Sequence, residues 1–280
     1  MIKILLAGTP EFAVPIFEKI IQNFHVVGIV SQPDRPANRG HKTLPTPTKL
    51  LAQKYNIPCF QPEKIGQIKD ELSQLNYDYF ITAAFGQFVP ASILKLAKKY
   101  NLNVHGSLLP KYRGAAPIQH SLLNGDKITG ISIMEMILEM DAGDVFTTLH
   151  YQIKPRDVAS DVFTQLSNLT AQNIVEIINK INHGIYQKVP QESAKVTLAP
   201  KLLKEQAFLE NSLTCEQAIN KIRAFATTPG AYVLGTKGER IKIFFATTTP
   251  TKNAIVIKCA DGEIYGIDYQ YESRNRVILG

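Results

Sequence analysis

The first half of the chain alternates two kinds of segment, and that alternation restricts the possible folds more than any other feature. IKILLAG (2–8), HVVGIVSQ (25–32), YDYFITAAF (77–85) and NLNVHGSL (101–108) are short apolar runs rich in β-formers and read as strands. Between them, the segments near 11–24, 46–56, 63–75 and 90–100 repeat apolar residues at helical spacing. Strands written as nearly continuous apolar runs are buried on both faces, which is the condition inside a parallel sheet covered by helices. The expected class is α/β, with a doubly wound, mostly parallel sheet. TGISIMEM (129–136) and VFTTLHYQI (145–153) add strands, and a long amphipathic helix runs from about Ser160 to His183 with Gly184 as its C-cap.

Beyond that helix the texture changes. Residues 186–203, with Pro190 and Pro200, read as a linker that separates a unit over 1–185 from one over 204–280. The later unit opens with a helix around Thr214 to Phe225. AYVLGTKGERIKIFFA (231–246) and NAIVIKCADGEIYGIDYQ (253–270) follow as alternating runs with Gly and Asp turns, the pattern of a small antiparallel barrel.

The 280 residues, 45% of them hydrophobic, suffice for one large core and one smaller one. No run of about 18 apolar residues occurs, and MIKILLAG enters a strand without a basic flank or a cleavage site. A cytoplasmic protein with no membrane partner is expected. Cys59, Cys215 and Cys259 are odd in number and lack CxxC spacing, and the six histidines form no HxxxH array, so neither a disulfide framework nor a metal site is expected. AGTPEFA (7–13) carries one glycine where a dinucleotide fingerprint needs three. The net charge of +7 fits a phosphate-bearing partner but does not by itself select one.

In doubly wound sheets, ligands lie beyond the carboxyl ends of the strands, which here directs attention to 8–12, 32–45, 85–90 and 105–114. NVHGSLLPKYRGAAPIQ (103–119) delivers Asn103 and His105 two positions apart, hence on one face of a strand end. MDAGD (140–144) sets Asp141 and Asp144 in a glycine-containing turn from which a carboxylate can reach an imidazole. Such a pair suits proton transfer, because the carboxylate orients the ring and stabilises its charged form. On these residues alone, a structural histidine and a plain turn fit about as well.

NVHGSLLPKYRGAAPIQ also resembles the folate-binding and catalytic segment of the folate-dependent formyltransferase family. The resemblance runs through AGTPEFA, SQPDRPANRG (31–40), AAFGQFVP (83–90), TGISIMEM and MDAGD; it is thinner at LAPKL (198–202) and IRAFATTPGAY (222–232). It implies a Rossmann-like catalytic core over 1–185 and an OB-like barrel over 204–280, with 10-formyltetrahydrofolate as formyl donor and no metal. By motif position it implies that Asn103 hydrogen-bonds the formyl oxygen, that His105 moves the proton and steadies the oxyanion, and that Asp141 orients His105. Ser107, Leu108, Leu109 and Pro110 match the folate loop, with Phe85 and Gly86 shaping the pocket.

Members of the family formylate different amines, including those of nucleotide sugars and of a purine-pathway ribonucleotide. SQPDRPANRGHKTLPTPTK (31–49) carries Arg35, Arg39, His41, Lys42 and Lys49 against Asp34 alone, and its Gly and Pro content reads as a mobile arm. It resembles the insertion loop with which tRNA-acting members engage an acceptor stem. That implies initiator methionyl-tRNA as partner, with Arg39 foremost and Arg35 and Lys42 beside it; a nucleotide-sugar amine is the alternative acceptor. The C-terminal unit, with Lys201, Lys204, Lys221, Arg223, Lys237, Arg240 and Lys242, is expected to add RNA contacts. It departs from the family in lacking tryptophan and in reading ATTPGA (226–231) where an aromatic often precedes the proline. A monomer is expected.

Overall fold

A strand buried along five of its six residues, Lys3–Gly8 (β1), lies in the interior of the larger sheet. The computed structural model of the protein describes residues 2–37, 42–226 and 228–279. In chain order the further strands of its first part are β2 (His25–Val30), β3 (Arg35–Ala37), β4 (Lys42–Leu44), β5 (Cys59–Phe60), β6 (Tyr79–Ala83), β7 (Tyr100–His105), β8 (Ile128–Glu135) and β9 (Val145–Gln152). Six of them join β1 in one seven-stranded sheet, in the order β5-β2-β1-β6-β7-β8-β9. The pairings from β5 through β7 are parallel, and β8 joins β7 antiparallel. The chain winds outward from β1 to β2 and β5, then returns across to β6 and β7, so the order reverses between β1 and β6.

Helices pack on this sheet because their apolar residues recur at helical spacing and so share one face. In α1 (Ala13–Asn23), Ala13, Ile16, Phe17 and Ile20 are fully buried at i, i+3, i+4 and i+7. Burying each of the three large ones contributes roughly 1.5–3 kcal/mol. In α2 (Pro47–Lys54), the Thr46 side chain caps the amide of Lys49 and Pro47 occupies the first turn. After α3 (Lys69–Gln74), the helix expected over 90–100 is only α4 (Ala91–Leu94). The chain leaves the helix because the amides of Lys98 and Lys99 donate to the carbonyls of Tyr77 and Asp78, which leads it into β7.

The residues divide into two compact units that do not follow chain order. One comprises Met1–Arg113, Gly130–His150 and Thr164–Thr197; the other comprises Gly114–Thr129, Tyr151–Phe163 and Leu198–Gly280. The second contains α5 (Pro117–Leu123), while α6 (Ala159–Asn182) begins in it and continues through the first. Its α7 (Cys215–Phe225) starts with a reciprocal cap between Thr214 and Gln217. The antiparallel half-barrel is built from β10 (Ala231–Leu234), β11 (Arg240–Thr247), β12 (Ile255–Cys259), β13 (Gly262–Tyr271) and β14 (Arg276–Ile278), with β13 pairing β11, β12 and β14. No helix among the described residues is long and apolar enough to cross a membrane.

Candidate active site

Strand β7 carries Asn103 and His105 at its carboxyl end, between β6 and β8. The parallel register sets Asn103 beside Thr82, and the antiparallel register sets His105 beside Ser132. The hydroxyl of Thr82, itself buried, donates to Asn103 Oδ1 at 2.8 Å. With its oxygen so occupied, the amide directs Nδ2 toward Asp141 Oδ1, 3.5 Å away. The same carboxylate oxygen is 3.5 Å from His105 Nδ1. His105 is 5% exposed, and its Nε2 is 2.9 Å from the carbonyl of Tyr112. A carbonyl oxygen only accepts, so Nε2 carries a hydrogen, and Nδ1 is the ring nitrogen that faces Asp141.

The turn expected from MDAGD performs a specific task. Asp141 adopts a left-handed backbone, φ 53°, which aspartate tolerates better than most residues. A Cβ on Gly143 would lie 1.9 Å from the Glu135 carbonyl oxygen, so only glycine fits there. Of the two aspartates in the turn, Asp141 presents its side chain to His105, while Asp144 accepts the Glu135 amide through its backbone at 2.8 Å.

The loop after β7 is held by one of its own hydroxyls and by Ser132 of β8. Ser107 is fully buried and its hydroxyl donates to the Lys111 carbonyl at 2.6 Å. Ser132 donates to the Ser107 carbonyl at 2.7 Å and accepts the Leu109 amide at 3.0 Å. Leu108, Leu109 and Pro110 are half-buried, and the Leu109–Pro110 peptide is cis. Phe85 packs in the core with Leu5, Phe80 and Ile93, and its carbonyl accepts from Thr9 at 3.1 Å and Gln32 at 3.3 Å. Gly86 turns the chain at φ 78°.

The basic segment 31–49 contains structure that the sequence did not announce. Strands β3 and β4 pair antiparallel, and its single acid, Asp34, ties the root: it ion-pairs with Lys49, accepts the Thr46 amide at 3.3 Å and accepts from Gln61 at 2.6 Å. The Lys49 ammonium so close to Asp34 is the main reason its carboxyl lies below the ordinary 3.8, with Gln61 and the Thr46 amide adding to the effect against partial burial. Arg35 pairs with Glu63 at 2.7 Å, both side chains well exposed. Arg39, His41 and the side chain of Lys42 lie outside the described residues. In the second unit, Arg223 is withdrawn from any RNA face. It is 8% exposed, and its guanidinium donates to the carbonyls of Asp157 at 2.7 Å and Lys154 at 3.0 Å, a structural staple.

The motif thus brings together Asn103, His105 and Asp141, and adds three partners that sequence reasoning missed: Thr82, the Tyr112 carbonyl and Gln191. Thr82 left a faint signal as the one aliphatic hydroxyl in the apolar strand YFITA. A backbone carbonyl leaves none. Gln191 donates to the carbonyls of Asp141 and Gly143 from fifty residues away, with no motif around it.

Residues 2–178 match the model of the formyl transferase family. A methionyl-tRNA formyltransferase of Mycoplasmopsis pulmonis is 50% identical over 278 residues, which cover 99% of this chain and 96% of that one. Another, of Lactobacillus acidophilus, is 41% identical over 258 residues, 91% of this chain and 82% of that one. Among solved structures, the N-formyltransferase from Helicobacter canadensis, in complex with folinic acid and dTDP-3-aminofucose, has a TM-score of 0.75 over 97% of this chain and all of that one. Its sequence is 20% identical, a likeness of fold alone. A family match over more than half the chain, together with full-length relatives at this identity, means that the chain belongs to the formyl transferase family, among the methionyl-tRNA formyltransferases.

Proposed function

We propose that the protein transfers the formyl group of 10-formyltetrahydrofolate to the amino group of methionyl-initiator tRNA. The observation that carries the reading is the convergence of Asn103 Nδ2 and His105 Nδ1 on one carboxylate oxygen, each at 3.5 Å, at the end of β7. In the reaction the amine nitrogen bonds to the formyl carbon, and the bond from that carbon to the folate nitrogen breaks. Asn103 donates its Nδ2 hydrogen to the oxygen, which becomes negative in the tetrahedral intermediate. His105 takes the proton shed by the attacking amine at Nδ1, where Asp141 stabilises the imidazolium, and returns it to the departing folate nitrogen. Charge and protons balance with no other reactant.

Leu108, Leu109 and Pro110 cover the flat ring of the folate in this reading, Ser107 holds their loop, and Phe85 and Gly86 close the pocket from the neighbouring strand. Residues 1–185 carry the chemistry. The arm at 31–49, through Arg39, Arg35 and Lys42, and the barrel over 204–280 hold the tRNA, joined by 186–203. An exposed pair such as Arg35–Glu63 is worth at most about 1 kcal/mol, so Arg35 exchanges Glu63 for a phosphate at little cost.

The decisive assay supplies formyltetrahydrofolate with methionyl-initiator tRNA in one reaction and with a nucleotide amino sugar in another. Formylmethionyl-tRNA is the expected product; formylation of the sugar alone overturns the acceptor. His105→Ala is expected to lower turnover by about two to four decades with the fold intact. Asp141→Asn acts on the same step, so its loss should not add to that of His105→Ala. A His105→Ala enzyme with parental turnover removes the residue from the mechanism.

A further inference from the structure

His105 is flanked on two sides: the Tyr112 carbonyl holds Nε2 at 2.9 Å, and the Asp141 carboxylate faces Nδ1 at 3.5 Å. Both partners sit on left-handed backbone, Tyr112 at φ 64° and Asp141 at φ 53°, so neither loop keeps its place by local preference. One segment, 189–197, binds both. Val189 pairs with Val145, the strand residue just after the Asp141 turn, and Thr197 takes the amides of Tyr112 and Arg113, through its hydroxyl and its carbonyl, each at 2.9 Å. Gln191 lies between these anchors and uses all of its amide. Nε2 donates to the carbonyls of Asp141 at 2.8 Å and Gly143 at 2.7 Å, while Oε1 accepts Arg113 Nε at 3.0 Å.

We propose that Gln191 is a positioning residue for formyl transfer: it spans the two loops that clamp His105 and fixes the orientation of the imidazole. The inference rests on the reading of His105 as the proton carrier. An amide suits the position because it offers two hydrogens to one loop and a lone pair to the other. An apolar chain of equal length leaves two carbonyls and a guanidinium without those partners, and the loops drift apart.

The test compares Gln191→Met, Gln191→Glu, His105→Ala and the double variant Gln191→Met with His105→Ala, each as the full chain. Turnover of Gln191→Met should fall about tenfold to hundredfold, the usual effect of an ångström-scale misplacement of a catalytic group. KM for both substrates should stay within about twofold, since no substrate contact is removed. In histidine-labelled protein, the Nδ1 and Nε2 resonances assigned to His105 by their loss in His105→Ala should move in Gln191→Met. The double variant should be no slower than His105→Ala. Gln191→Glu keeps the acceptor for Arg113 but loses the donated hydrogens, so it should lose as much; it carries the test if the Met variant fails to fold. Parental turnover and parental ring resonances in the Gln191 variants, with His105→Ala inactive, overturn the proposal alone. A fully active His105→Ala enzyme overturns the His105 reading and the proposal with it.

Discussion

Thr82 shows how a single hydroxyl decides the chemistry of its neighbour. Its donation to Asn103 Oδ1 at 2.8 Å fixes which end of the amide is oxygen, and so which end can donate to a developing oxyanion. Thr82→Val keeps the shape and deletes the bond. Turnover should fall roughly tenfold, the equivalent of about 1.4 kcal/mol, while Thr82→Ser stays near the parent. Steady-state kinetics of the pair decide the matter, and a Val variant at the parental rate ends the claim. At this scale, the side chains proposed to do the chemistry stand in patterns that the sequence displays, and those that hold them do not. Asn103 and His105 announce themselves by their two-residue spacing at a strand end, and Asp141 by its glycine turn. The partners arrive by register, by main chain or from fifty residues away, and none of these leaves a local pattern.

At the scale of elements, the arm at 31–49 departs furthest from its reading. RPA and KTL are three residues each, one of them containing proline, too short and irregular to show the alternation of a strand, yet they pair. Spending the only acid of the segment at its root leaves the basic residues without an acidic neighbour inside the arm. The Asp34 carboxyl is lower in the folded protein than in the unfolded chain. Its contribution is therefore complete above the ordinary value of 3.8 and is lost as pH falls through the lowered one. Backbone amides of the arm should exchange hydrogen faster in Asp34→Asn than in the parent at neutral pH, and the parent should approach the variant only below pH 3.8. Equal exchange at neutral pH would show that the root is held by other contacts. The 90–100 segment failed for the opposite reason: its helical spacing was present, but strand pairing recruited the amides of Lys98 and Lys99 first.

For the molecule as a whole, fold class was legible because burial on two faces writes itself as continuous apolar runs, as in β1 and β6. The mosaic of the two units was not. That 114–129 and 151–163 cluster with the C-terminal half-barrel depends on contacts such as α5 against α7, and on Arg223 reaching the carbonyls of 154 and 157. A net charge of +7 sets a further expectation: tRNA affinity should fall steeply with salt while folate affinity barely changes. Arg39→Ala should weaken use of methionyl-tRNA and leave folate titration unaltered; equal loss in both would detach the arm from RNA and favour the sugar-amine acceptor. The hold on His105 Nε2 has a different kind of consequence. Because the grip comes from the main chain at position 112, no side-chain atom of that residue makes it, and a search for catalytic side chains would pass over it. What the lineage must conserve there is a count: inserting or deleting one residue between His105 and Tyr112 would bring a different carbonyl to the ring, and heredity would register the loss as a change of length with every catalytic letter intact.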